Sequence, residues 1–157
     1  MGTTSESLDE AAHRRLGVDL FNRTWTLMEQ EQRTPEEDDE MLHCAHASAY
    51  HWLHAPHTAA NRARSQWQCS RAHVLAGQPE GALHHAKRCL EIVQEHPEEM
   101  AEFDLPGAYE ALARAHALAG HADESQRFLE LGRSAAAKIA DADDRGIIEA
   151  DLATVPV

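Results

Sequence analysis

An eight-residue segment occurs twice in this chain of 157 residues. Ser70-Arg71-Ala72-His73-Val74-Leu75-Ala76-Gly77 returns 43 residues later as Ala113-Arg114-Ala115-His116-Ala117-Leu118-Ala119-Gly120, identical at six of eight positions. Each copy runs as a good helix former and stops at Gly, and an amphipathic stretch follows. The repeating unit is therefore a helical hairpin, and hairpins of this kind bury their apolar faces by stacking side by side. The rest of the sequence agrees. Val, Ile and Thr are sparse, Ala, Leu, Glu, Arg and Gln abound, and no stretch alternates apolar and polar residues over a strand's length. The expected fold class is all-α: antiparallel helical hairpins stacked as a short α-solenoid of about seven helices.

Helix signals divide the chain accordingly. A polar tail over 1–6 precedes a long first helix from about Ser7 to Gln32. Thr34-Pro35-Glu36-Glu37 opens the second, with Thr34 as N-cap, Pro35 in the first turn and acids next; it runs to about Ala55. The third spans about Thr58 to Ala76, and Pro79 opens a fourth that ends near His96-Pro97. Glu98 to Gly107 reads as a longer connection. The fifth helix stops before Gly120, the sixth covers about Asp123 to Ile139, and a short seventh about Asp144 to Ala153. This is one domain over 7–153, with hairpins at about 7–55, 58–96 and 106–139, a capping helix at about 144–153, and a C-terminal tail at 154–157.

With Gly77 and Gly120 placed at the turns, the unit resembles the tetratricopeptide repeat, a two-helix motif of about 34 residues. The family's three small positions fall on Ser70, Ala82 and Cys89 in one copy and on Ala113, Ser125 and Gly132 in the other. Tyr109 meets the family's aromatic position; in the first copy Gln66 stands there, with Trp67 next. The spacing is longer than the family's, His73 and His116 replace its second aromatic, and Gln94 stands where a Pro would close the unit. The resemblance covers about Arg64 to Gly132.

The resemblance implies that the first helix of each hairpin lines a concave groove that binds a protein or peptide partner. Its groove positions map onto Arg64, Trp67, Arg71 and Val74, and onto Gly107, Glu110, Arg114 and Ala117. Arg71 and Arg114 hold the same place in successive units, so their guanidiniums should lie side by side. Such a pair beside Trp67 could grip a carboxylate or an acidic peptide. Replacing both by Ala should then abolish partner capture and leave the fold intact. The structural alternative is an ion network in which both pair with Glu110.

Histidine supplies a second candidate. There are 12, scattered over the chain. On the second helix Met41, Leu42, Ala45, Ala49, Trp52 and Leu53 form the expected core face, while His43, His46, Tyr50, His54 and His57 form another stripe. His43, His46 and His54, joined by His84 or His85 from a neighbouring helix, would suit zinc, copper or nickel. The competing reading is a polar stripe that packs or faces water. His73 and His116 are expected to be core histidines with a satisfied hydrogen bond.

Charge and motifs exclude several classes. A net charge of −13 at pH 7 leaves no basic footprint for nucleic acid or an anionic membrane surface. No signal-peptide pattern opens the chain, which points to the cytoplasm. The excess of Arg over Lys and the richness in Ala fit a GC-rich bacterial genome. Cys44, Cys69 and Cys89 are odd in number and read as free thiols. No GxSxG, P-loop or dinucleotide fingerprint is present, so binding is expected rather than catalysis. The exposed apolar ends of a short solenoid would also allow a homodimer.

Overall fold

The structure is a computed structural model that describes residues 7–157; the expected tail over 1–6 lies outside the described residues. Among the described residues there are seven α-helices, one short 3₁₀ turn and no strand. The helices are α1 (Glu10–Met28), α2 (Pro35–His54), α3 (Ala59–Leu75), α4 (Pro79–Glu95), α5 (Asp104–Leu118), α6 (Ala122–Ala136) and α7 (Ala142–Ala153). α1/α2, α3/α4 and α5/α6 pack as hairpins, α2 meets α3, and α4 meets α5. The odd-numbered helices also touch in succession, α1 to α3, α3 to α5 and α5 to α7. The hairpins are thus stacked in a solenoid-like array, with α7 against its last member.

Local chemistry sets the helix ends. Thr34 accepts from the Glu37 backbone N–H at 3.2 Å while the Glu37 carboxylate accepts from the Thr34 N–H at 2.8 Å, a full capping box. Thr58 and Asn61 make the same exchange at the start of α3. Gly77 (φ 72°) and Gly120 (φ 79°) adopt the left-handed conformation. Around them Gln78 N donates to His73 O and His121 N to His116 O, both at 2.9 Å, closing the two Schellman stops in the same way.

Several boundaries differ from expectation. α1 ends at Met28, before Gln32, because the Arg33 guanidinium donates to the Leu27 and Gln30 carbonyls and pairs with Asp38 at 2.7 Å, folding the chain back. α5 starts three residues before Gly107, and α6 stops three residues before Ile139. The expected tail at 154–157 is partly anchored: Val155 is buried and Thr154 Oγ1 accepts from Arg114 at 2.7 Å. Leu53, expected in the core, is 59% exposed, because α2 buries Met41, Cys44, Ala45, Ser48 and Trp52 instead.

Small residues bring the paired helices close. All six small repeat positions are buried. Ser70 Oγ donates to Ala82 O at 2.8 Å, and Ser125 Oγ donates to Ala113 O at 2.9 Å. The two hairpins thus tie the same two positions with the serine on opposite helices. The first hairpin has its own version, Ser48 Oγ to Gly17 O at 2.7 Å, and a Cβ on Gly17 would stand 3.1 Å from the Trp52 indole. A hydroxyl spent on a helix carbonyl in this way is a satisfied buried polar group. All three cysteines are buried free thiols.

Candidate functional site

The odd-numbered helices carry the expected groove residues on one face. Glu110 of α5 is its hub, with its side chain only 2% exposed. Its Oε1 accepts from Arg71 Nη2 at 2.7 Å and from Arg114 Nε at 2.6 Å, and its Oε2 accepts from Trp67 Nε1 at 3.2 Å. The two repeat arginines do converge, but on a carboxylate of the chain itself. Arg114 donates further to Asp151 O and to Thr154, and so fastens α7. Arg71 also lies 5.1 Å over the Trp67 ring. Arg64 is engaged elsewhere: it grips Asp104 through two bonds of 2.9 Å and lies over Phe103. Every guanidinium that was expected to face a ligand carboxylate already holds a carboxylate of this chain.

Beside this network is a cavity of about 330 Å³. α1 contributes Phe21 and Trp25, α3 contributes Trp67, and α7 contributes Ile147 and Ile148, with Phe103 between. Trp25 and Trp67 meet with ring centres 5.6 Å apart. Four charged side chains reach the lining: Arg64, Asp104, Glu110 and Asp151. The first three are paired as described. Among the described residues the Asp151 carboxylate makes neither a hydrogen bond nor an ion pair. Burial, reinforced by Glu110, raises its pKa above the usual Asp value against the pull of Arg71 and Arg114. The charge left for a ligand in this cavity is negative.

The histidines sort into separate places. His46 of α2, His73 of α3 and His85 of α4 offer ligating atoms that all lie within 4.8 Å of one another. His46 Nε2 and His73 Nε2 are 2.9 Å apart. His43, His54 and His84 stand outside this group. His54 is two helical turns beyond His46, about 12 Å along the axis, and packs instead with His13 and Tyr50. His84 meets the His85 ring edge-on, and neighbours on a helix point about 100° apart. His73, expected in the core, is the member that sequence reasoning left out, although its place in the repeated segment marked it. His116, its counterpart, is buried with Nδ1 3.0 Å from His121 Nδ1.

Desolvation and the neighbouring imidazoles lower His46 and bring His85 down to about 4, so both rings are neutral at pH 7. Cys69 Sγ lies 3.9 Å from His46 Nδ1, and burial pushes its thiol up to about 12. It stays protonated and offers no thiolate. Asp151 had no signal in the sequence, because its role depends on where α7 docks. Compared with protein-family models, curated proteins and solved structures, the chain finds no match.

Proposed function

We propose that the chain is a tetratricopeptide-like binding scaffold whose odd-numbered helices receive a segment of a protein partner. The segment presents an apolar side chain to the cavity and a positive charge to Asp151. One observation carries this reading: a largely apolar cavity walled by α1, α3, α5 and α7 whose single unpaired charged group is a half-buried carboxylate. Pockets that are mostly apolar with a few placed polar groups are the usual form of a binding site. The arginines do not argue for an acidic ligand, because Glu110 and Asp104 occupy them. The overall charge of −13 favours approach of a basic segment as well.

Trp25 and Trp67 line the cavity, so their fluorescence reports occupancy. Two short peptides that differ only in Lys against Glu beside a Leu, both lacking Trp, form the test. The Lys peptide should bind about tenfold more tightly at low salt, roughly 1.4 kcal/mol, and Asp151→Asn should remove most of that difference. Equal binding of both peptides to the native protein would defeat the proposal, and so would a preference for the Glu peptide.

A further inference from the structure

The geometry points to a transition-metal site formed by His46, His73 and His85, which would take a divalent ion of the zinc class through three imidazole nitrogens. This site lies apart from the cavity and stands or falls independently of it. Three different helices supply the rings, and their centres form a nearly equilateral triangle with sides of 5.1, 4.9 and 5.4 Å. An ion held by imidazoles at about 2.0–2.1 Å in a tetrahedral site spaces the nitrogens by about 3.4 Å and the ring centres by about 5 Å. The ring spacing matches that arrangement, and the nearly parallel His73 and His85 rings would turn to bring the ion into both ring planes.

The surroundings of the rings select the right nitrogens. His73 Nδ1 lies 2.7 Å from Gln78 Oε1, and His85 Nδ1 lies 2.7 Å from Gln66 Oε1. An amide oxygen can only accept, so Nδ1 carries the hydrogen on both rings and Nε2 keeps its lone pair, which on His73 accepts from His46 Nε2–H at 2.9 Å until an ion displaces that hydrogen. Metal-binding histidines are characteristically oriented by such a partner on the far nitrogen. Gly81 completes the cradle: a Cβ there would stand 2.5 Å from His73 Nδ1.

The second repeat is an internal control. Its counterparts of His73, Gln78, Gly81 and His85 are His116, His121, Glu124 and Phe128. His73 and His85 lie 5.4 Å apart with 12° between ring planes; His116 and Phe128 lie 5.6 Å apart with 6°. The fold therefore asks only for an aromatic ring at that place, and Phe satisfies it. The nitrogens of His85 are surplus to packing, whereas a partner on the far nitrogen of the first histidine is present in both copies, Gln78 in one and His121 in the other. The His85 nitrogens occur in the copy where α2 brings a third imidazole, that of His46. Three histidines leave a fourth position open at the exposed rim beside His46, where water would complete the sphere.

The test uses the untagged full chain, stripped with chelator and titrated with Co²⁺ and then Zn²⁺. One equivalent of Co²⁺ should give the visible bands of a tetrahedral site, and one equivalent of Zn²⁺ should displace it. His85→Phe copies the second repeat and should keep the melting temperature of the metal-free protein while weakening Zn²⁺ binding at least about 100-fold. Gln78→Leu, which leaves all three ligands in place, should weaken it by about 10- to 100-fold. His54→Ala and His84→Ala should bind as the native chain does. Native affinity in His85→Phe would overturn the site, as would equal losses in His54→Ala and His84→Ala, which would mark diffuse histidine binding.

Discussion

Glu110 decides what the arginines of the repeated segment do. With Arg71 and Arg114 on one of its oxygens and Trp67 on the other, its charge is compensated inside the fold. Removing the partners of a buried carboxylate leaves it without compensation, which costs more than the pair contributes when intact. The Arg71→Ala, Arg114→Ala double variant is therefore a stability variant before it is a binding variant. It should lose about 3–5 kcal/mol in urea unfolding, in contrast to the intact fold expected from the repeat pattern alone. A loss below about 1 kcal/mol, the range of exposed pairs, would show that Glu110 does not depend on them. The ion pairs at the surface, such as Arg23 with Glu40, carry no comparable weight because both partners are nearly half exposed.

At the scale of the element, the helices owe their ends to a few residues. The two Schellman stops need φ near +75°, and Gly77 and Gly120 supply it. Gly120→Ala should cost about 1–2 kcal/mol, the price of a left-handed L-residue, although nothing lies within 4 Å of the added Cβ. Gly146 in α7 is also free of neighbours but is helical, so Gly146→Ala should stabilise by about 0.5–1 kcal/mol. Opposite shifts in chemical denaturation separate conformational strain from crowding; shifts of one sign would refute the account. Gly132 is a third case, where a Cβ would meet Leu152 Cδ2 at 2.8 Å. The small position of the repeat is here what lets α7 approach.

For the whole molecule, charge and histidine content act together. Net charge is −13 with 12 histidines neutral, so acidification carries the protein towards neutrality and its least solubility near pH 5. Stability falls over the same range. Burial, with His121 and the cations Lys87 and Arg127 opposing Glu124, holds His116 below its ordinary 6.5. The unfolded chain therefore takes up the proton first; stability present above about pH 6.5 is lost as pH falls towards the folded value. Urea unfolding of metal-free protein between pH 7 and 5 should show this decline, and His116→Phe should make it shallower, the remainder coming from His46 and His85, which are lowered in the same sense. An unchanged slope in that variant would remove His116 from the account. No helix among the described residues is long and apolar enough to cross a membrane.

Much of the fold was legible because its signals are local. Caps, glycine stops and the duplicated segment act within a turn or two of helix, and Thr34, Gly77 and Gly120 do what their types require. Even the small positions could be placed from the repeat, since close helix contact tolerates few side chains. The chemistry of the sites was not legible to the same degree. Whether Arg71 meets a ligand or Glu110, and whether His46 finds His54 on its own helix or His73 and His85 across two others, depends on how each helix is rotated against its neighbours. That rotation is set by packing summed over the whole stack. The chain by itself determined how many helices form, where the capped and glycine-stopped ends fall and which segment repeats; the tertiary structure alone decided which side chains share a space, because convergence between helices is a property of their packing and not of spacing along one of them.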